Sequence, residues 1–341
     1  MDSNSDKQGG SATTITAVHQ NIIETHILTR FDGPALASTA STSHLLHTLC
    51  NQDELWEDLC NSTWNSIKDP LVRQIISTFS GGYRSFFSDS FPLLRPNPSE
   101  GSYIGQVHNS ELISAVDMYY GNDPVYSNVK ATDTSDSNFL GLQFCIDLLD
   151  GEGTSKMPIK YEGDEKKCIL DFEEKLRLSW IIIDPKLKRA ANVSSLRPIS
   201  VRPCWVDGSG IKVKYATIVS GDNRGIYTTE FVECRVTAIF RFEGKNIKLK
   251  ELSLCVVDMD WTRLNGEKSL RILKEALHNG LRKKATGGEE KEMYAKFVDL
   301  KRKKRDEVKK ENIVDRFMDF LWQHRSILMQ SGYTFLLILY V

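Results

Sequence analysis

The sequence predicts an α+β protein, with three short helices at the N-terminus, a central antiparallel β-rich region and further helices at the C-terminus. Three observations carry that reading. Between Val18 and Ile67 the apolar residues fall in helical groups separated by Asp-Gly-Pro and Asn-Gln-Asp turns. From about Glu111 to Met259 the texture changes to period-two alternation broken by glycine-containing turns. Beyond Gly266, Leu270, Leu273, Leu277 and Leu281 return at helical spacing. The antiparallel part reads as a strongly twisted sheet or a sandwich.

The first helix is expected from about Val18 to Phe31. Its apolar residues are Val18, Ile22, Ile23, Ile27, Leu28 and Phe31. At about 100° per residue they cover more than half of the helix surface instead of one stripe. Asp32-Gly33 ends that helix, with glycine suited to the left-handed conformation of a helix stop. Pro34 fits the first position of a second helix capped by Asp32 or Gly33. That helix runs through Ala35, Leu36, Ala37 and Ala40 to Leu45, Leu46 and Leu49. After Asn51-Gln52, Asp53 caps a third helix carrying Leu55, Trp56, Leu59 and Cys60, and Trp64 follows.

A unit of about fifty residues is near the lower size limit for independent folding. It buries only part of this apolar surface by itself, so the next domain or a partner must cover the rest. Each large apolar group buried contributes about 1.5–3 kcal/mol. A handful shared with a partner supports a stable interface once association costs are subtracted.

Residues 68–100 read as a helical and aromatic linker. Asp69-Pro70 opens a helix with Leu71, Val72, Ile75, Ile76 and Phe79, and Gly81-Gly82 ends it. Tyr83, Phe86, Phe87 and Phe91 are placed to staple it to its neighbours, and Pro92, Pro96 and Pro98 mark the linker.

Residues 101–265 form the β-rich region. Strands are expected at Leu112–Tyr120, Phe139–Leu149 and Lys167–Asp184, the last ending in Trp180-Ile181-Ile182-Ile183. One hairpin joins Ile199–Val206 to Ile211–Val219 through Asp207-Gly208-Ser209-Gly210. A second joins Phe231–Phe242 to Ile247–Met259 through Glu243-Gly244-Lys245-Asn246. Residues 122–138 and 151–164 read as long loops. Helices are expected over 266–326, interrupted at Gly287-Gly288, with Lys301-Arg302-Lys303-Lys304-Arg305 on the second.

With 341 residues and a net charge of −1, the chain holds one large or two modest domains. It carries no basic field suited to nucleic acid. Residues 1–16, rich in Ser, Thr, Asp, Gln and Gly, read as a disordered tail without the features of a secretory signal. The seven cysteines (Cys50, Cys60, Cys145, Cys168, Cys204, Cys234 and Cys255) contain no Cys-x-x-Cys pair. An odd, scattered set reads as reduced intracellular thiols, which makes the sequons at Asn61 and Asn192 chance matches. The expected location is the nucleus, the cytoplasm or both.

No cofactor is implied. Gly151-x-Gly153 and Gly208-x-Gly210 lack phosphate-loop spacing, and no nucleophile elbow, metalloprotease helix or kinase set is present. Asp258 and Asp260 read as turn residues at a strand end. His44, His47 and Cys50 share a helix face, but no second ligand cluster closes a metal site. The run Lys301 to Arg305 has three open readings: a solvated face, a nuclear import signal, or attraction to an anionic membrane. Residues 327–341 offer about fifteen mostly apolar residues, short of the roughly twenty that span a bilayer. A tail anchor on an internal membrane, a docked segment or an exposed tail are the alternatives. A sugar-stacking face built from Trp180, Trp205 and Trp261 stands against burial of those rings in the core.

The N-terminal segment resembles an F-box, the adaptor-docking module of SKP–cullin–F-box (SCF) ubiquitin ligases. The helix and turn of that family match Ile27-Leu28-Thr29-Arg30-Phe31-Asp32-Gly33, its Leu-Trp pair matches Leu55-Trp56, and its later tryptophan matches Trp64. The likeness is greatest to a plant group that starts Ala-Val-His-Pro; here Ala17-Val18-His19-Gln20 lacks the proline. More loosely it extends through Tyr83-Arg84-Ser85-Phe86-Phe87 and the β-rich region. The resemblance implies an F-box over residues 17–67, docking to a Skp-family adaptor. Cullin and RING subunits follow indirectly, an unidentified protein substrate binds the β-rich region, and this chain supplies no catalytic residue. It further implies that Ile23, Ile27, Leu28, Phe31, Leu36 and Trp56 contact the adaptor or hold the contacting helices.

Overall fold

The computed structural model describes residues 18–97, 111–149, 159–161, 164–204, 210–221, 230–283 and 288–323. It is an α+β fold of stacked layers. The chain opens with α1 (Gln20–Ile22), continued by a π-helical turn (Ile23–Ile27) and a 3-10 turn (Leu28–Arg30). Then come α2 (Gly33–Ala40), α3 (His44–Cys50) and α4 (Asp53–Thr63). The expected second helix is therefore two. Ser41 and Thr42 bond back to the carbonyls of Ser38 and Thr39, competing with the helical ladder, and Ser43 caps α3 through the Leu46 amide. A 3-10 turn (Asn65–Lys68), α5 (Pro70–Ile76) and α6 (Gly82–Ser90) complete the helical layer. Gly81-Gly82 does not end α5, which stops at Ile76; Gly82 instead opens α6.

Within the Pro92–Pro96 stretch lies β1 (Leu93–Arg95). There follow β2 (Glu111–Tyr120), β3 (Asp123–Asp133), α7 (Ser137–Gly141), β4 (Cys145–Asp147), β5 (Ile159–Lys160) and α8 (Glu165–Lys175). Next are β6 (Leu176–Asp184), β7 (Arg189–Asn192), β8 (Ser200–Cys204) and β9 (Gly210–Ser220). The chain continues through β10 (Phe231–Glu243), β11 (Asn246–Val257), α9 (Gly266–Asn279), β12 (Leu281–Lys283) and α10 (Glu289–Gln323).

One sheet has the order β12-β1-β7-β6-β2-β3; the other runs β4-β11-β10-β9-β8, with β5 also on β11. All pairings are antiparallel except β1 with β7. The β8–β9 and β10–β11 pairs form at the expected places. The first of those turns lies outside the described residues apart from Gly210; in the second, Gly244 takes a left-handed φ of 62°.

Both faces of the first sheet are covered. Leu112, Val116 and Met118 of β2, with Leu178, Trp180 and Ile182 of β6, join a core shared with Val213, Tyr215, Phe240 and Leu249 of the second sheet. The alternate residues Ile113, Ala115, Ile181 and Ile183 join the core of the N-terminal helices. This explains the unbroken apolar run Trp180–Ile183, since a strand buried on both sides has no polar face. Helices α8 and α9 add Cys168, Phe172, Leu270, Leu273 and Leu277 to the shared core, and Phe297 of α10 packs outside the second sheet on Ile218 and Met259.

Several elements differ from the sequence expectation. Residues 122–138 hold β3 rather than a loop; it is an edge strand, so polar residues such as Asp123, Ser127, Asn128 and Asp133 stay exposed along it. Lys167–Lys175 is helical, because Asp164 caps α8 through the Lys167 amide and Cys168 and Phe172 are buried four apart. Within Phe139–Leu149, Asp136 caps α7 and only Cys145–Asp147 pairs as a strand. Leu281 belongs to β12, since α9 stops at Asn279 before Gly280, where a Cβ would lie 2.3 Å from the Ala276 carbonyl oxygen.

Polar groups fix the helical layer on the sheet. The buried Asp117 carboxylate accepts from the Ser66 amide at 3.0 Å, the Ser66 hydroxyl at 2.5 Å and the Ser127 hydroxyl at 2.7 Å. Trp64 Nε1 donates to Ser179 Oγ at 3.1 Å. Burial pushes the Asp117 pKa above its ordinary value, against the pull of these hydrogen bonds. As pH rises past the normal carboxyl range, the unfolded chain loses this proton before the folded chain, so the contribution of Asp117 to stability falls. Chemical denaturation across that range should show Asp117→Asn gaining on the wild type as pH rises. Asp117→Ala, which leaves the Ser66 donors unpaired, should lose about 1–3 kcal/mol. Parallel pH profiles for wild type and Asp117→Asn would contradict the account.

Candidate functional site

The N-terminal helices owe their shape to three local features. The first is the π turn. Ile23 and Leu28 lie five residues apart, and the Leu28 amide donates to the Ile23 carbonyl. In an α-helix such a pair would point about 140° apart. The wider turn brings both inward, where they are 0% and 1% exposed. The pair Ile22 and Ile27, also five apart, is left outside: Ile22 is 48% exposed and Ile27 half-buried. Phe31, also half-buried, follows four residues later. The broad scatter of apolar residues along this helix thus divides into the fully buried Ile23 and Leu28, the half-buried Ile27 and Phe31 on the edge of the same core, and the exposed Ile22. Gln20 starts α1 and donates to Glu24, while His19 accepts from the Asn21 amide.

The second feature is Asp32-Gly33-Pro34. Asp32 caps α2 by accepting from the Ala35 amide at 2.8 Å, and Pro34 sits in the first turn. Gly33 is not left-handed, contrary to the expectation. Its role is close approach: a Cβ there would lie 2.1 Å from Phe87 Cε1. The third feature is the aromatic nest under α4 and α6. Phe87 stacks on Phe91 at 4.7 Å and meets Trp56 at 5.5 Å and Trp64 at 5.6 Å. Trp56 Nε1 donates to the Cys50 carbonyl at 2.7 Å. Asp53 makes no side-chain cap for α4; its carboxylate accepts from the Tyr83 amide and ties α4 to α6.

The six residues singled out from the sequence therefore divide. Ile23, Leu28, Leu36 and Trp56 are buried within the chain and hold the helices together. Ile27 and Phe31 reach the surface, next to Ile22, which the sequence reading placed on the helix but not among the contact residues. The signal was present as the five-residue spacing. Half-buried Leu45, Leu55 and Leu59 lie on the same helical core. The thiols here are inert: burial, then Asp53 and Glu57, push Cys60 far up, and burial raises Cys50.

Other predicted positions are scattered. Cys50 is buried while His44 and His47 are exposed, and the described residues contain no group of three metal-ligating side chains. Asp258 is a turn residue that accepts from the Asp260 and Thr262 amides. Trp180 is buried and donates to Ser114, which removes it from any sugar-binding face, and Trp205 lies outside the described residues. Trp261 is half exposed at a φ of 66° and is ringed by Lys301 at 4.1 Å, Arg235 at 5.4 Å and Lys214 at 5.9 Å. Within the basic run, Lys301 is buried between Trp261 and Phe297, and Lys304 lies 3.7 Å from Asp260. Arg302, Lys303 and Arg305 are exposed. Burial, with Arg235 and Lys214 nearby, pushes the Lys301 ammonium down to about 8, against Glu233 and Asp258.

The fold defines an α+β protein in which a helical N-terminal module is built onto a two-sheet body. No family model and no solved structure matches the chain. It is similar to F-box protein At2g27310 of Arabidopsis thaliana, 38% identical over 300 residues that cover 84% of this chain and 86% of that protein. It is similar also to F-box protein At3g44326 of the same plant, 37% identical with 86% and 82% covered. Probable F-box protein At2g36090, again from Arabidopsis thaliana, is 37% identical with 84% and 83% covered. The chain belongs to the F-box protein family.

Gly33→Ala should lower the unfolding free energy by about 1–3 kcal/mol, because the methyl group overpacks against Phe87. In a Phe87→Leu background the added loss should shrink, as double-mutant denaturation would record. Equal losses in both backgrounds would uncouple Gly33 from that ring.

Proposed function

We propose that this chain is the substrate-receptor subunit of an SCF-type ubiquitin ligase, docked through its N-terminal helices to a Skp-family adaptor. The observation that carries this reading is the apolar row Ile22, Ile27 and Phe31 at the surface of the first helix, in which Ile22 is 48% exposed and Ile27 and Phe31, packed on the helical core, stay half-buried, while Ile23 and Leu28 are fully buried. Surface isoleucine and phenylalanine in a fixed row suit an apolar partner groove. The membership of the family supports the same partner.

In this role the chain performs no chemistry. The adaptor holds a cullin, the cullin a RING subunit, and the RING subunit a charged ubiquitin-conjugating enzyme. The chain contributes proximity, raising the effective concentration of a target protein beside the activated ubiquitin. The two-sheet body is the part available for the target. Action in the nucleus, the cytoplasm or both fits the free thiols, six of the seven buried.

Capture of the full chain by an immobilised purified Skp-type adaptor tests the assignment. Ile22→Asp with Ile27→Asp should weaken capture by more than about ten-fold, equivalent to about 1.4 kcal/mol, in a chain that circular dichroism shows to be folded. Leu28→Ala, in the core, should instead lower stability by about 2–5 kcal/mol. Undiminished capture by the folded double variant would sink the proposed contact surface, and a wild-type chain that ignores the adaptor would sink the assignment.

A further inference from the structure

We propose that Cys145 and Cys255 are a site of reversible disulfide formation, which locks edge strand β4 onto β11 under oxidation by hydrogen peroxide. Cys145 of β4 lies directly opposite Cys255 of β11 in an antiparallel pairing. Residues in register on neighbouring strands share one face of the sheet. The Leu148 amide donates to the Leu252 carbonyl at 2.9 Å. Hydrogen-bonded pairs alternate with non-bonded ones along an antiparallel ladder. Ile146 with Leu254 is therefore a bonded pair, and Cys145 with Cys255 a non-bonded one. Non-bonded pairs hold their Cα atoms about 4.5 Å apart and their side chains closer together, inside the Cα span of about 4.4–6.8 Å that a disulfide bridges. Cys234 stands one residue out of this register, opposite Val256. It faces the core shared by the two sheets, to which neither Cys145 nor Cys255 contributes.

Cys145 is partly exposed and Cys255 is 5% exposed, so one sulfur is open to a small oxidant and the other lies beside it. Peroxide oxidises one thiol to a sulfenic acid and releases water. The second sulfur then attacks the sulfenic sulfur. The S–S bond forms, the S–O bond breaks, and the hydroxyl leaves as water with the proton of the attacking thiol. Two electrons pass in all from the two thiols to one peroxide molecule, and a dithiol reductant returns them. Burial and Asp147, which accepts from the thiol at 3.4 Å, push Cys145 up to about 12. Burial also raises Cys255, against Arg235, Arg263 and Lys214. Both groups rest as thiols at neutral pH, so the bond forms slowly there and faster as pH rises and thiolate appears. Such a pair answers sustained oxidation rather than a passing pulse.

The crosslink falls on a seam. β4 is three residues long and pairs, among the described strands, with β11 alone. Its end also meets β3, the edge strand of the first sheet. Lys130 Nζ donates to the Asp147 carbonyl at 2.5 Å, and the Tyr126 hydroxyl donates to the Leu148 carbonyl at 3.3 Å. A bond from Cys145 to Cys255 therefore pins the place where the edges of the two sheets come together. It also closes a long loop of chain, which restricts the unfolded state.

Peptide mapping of the folded full chain tests this without any adaptor. After excess hydrogen peroxide, alkylation of the remaining thiols and digestion without reductant, the Cys145 and Cys255 peptides should be joined to each other, and dithiothreitol should part them. The link should form faster at about pH 9 than at about pH 7. Oxidised wild type should melt several degrees above its reduced form. Cys145→Ser, at the partly exposed position, should stay folded by circular dichroism and lose that difference. A link between any other cysteines, a Cys145 that ends as sulfinic acid or in a dimer of two chains, or a folded chain whose thiols all resist peroxide would overturn the proposal.

Discussion

The first sheet is buried on both faces, and the remainder of the structure depends on that constraint. A sheet with one solvated face would tolerate many positions for a neighbouring helical layer. Here Ile113, Ala115, Ile181 and Ile183 form the floor of the N-terminal helical core, so the helices have no stable place elsewhere. Apolar contact alone is not directional. The hydrogen bonds of Asp117 with Ser66 and of Trp64 with Ser179 supply direction, because a shift of either layer would strand a buried donor or carboxylate. Asp89 repeats the device at the other end of the layer, accepting from the Ala190 amide and pairing with Arg189 and Arg282.

That constraint changes how the apolar surplus of the N-terminal segment is to be understood. Fifty residues with so many large apolar groups need covering, and most of the cover comes from the chain's own sheet. What remains for a partner is the narrow row on the first helix, with the half-buried leucines nearby. In the proposed receptor role, a helical module welded to the body in this way would transmit orientation as well as attachment, since a flexible joint would spread a bound target over a far larger volume.

The fold was readable wherever a local rule matched a global one. The hairpin β10–β11 has a glycine turn between alternating strands, and α5 follows Asp69-Pro70. It was unreadable where two signals competed. Edge strand β3 carries Asp, Asn, Ser and Lys, which local reading assigns to loops, and its one partner, β2, is distant in composition. In Lys167–Asp184 an α-helix joins a strand with no intervening turn, so the apolar end of the strand coloured the whole segment. At the site the residue types were legible but their roles were not. Gly33 was explained by backbone freedom when the reason is Phe87, a residue more than fifty positions away. The π turn hid in an apparent loss of amphipathicity, although the pairs Ile22/Ile27 and Ile23/Leu28 already carried its spacing.

The buried polar seam poses a question of economy. A carboxylate shut away from water, even with three donors, contributes little net stability, and an apolar replacement of similar shape is often no worse. Burial does oppose the ionised form of Asp117, as its raised pKa shows. An all-apolar junction would hold the two layers at least as firmly but would not fix where the helical layer sits along β2. The seam is therefore a device for register. Glu233 shows the contrast on the other sheet. It too is buried, but Lys214 and Arg235 lie at 2.6 and 2.8 Å, and its carboxyl is held below the ordinary range. There the paired charges lie under α10, beside Trp261 in its left-handed backbone. A strained residue persists only where its surroundings over-determine it. Three cations surround that ring, and one of them, Lys301, ties α10 to it.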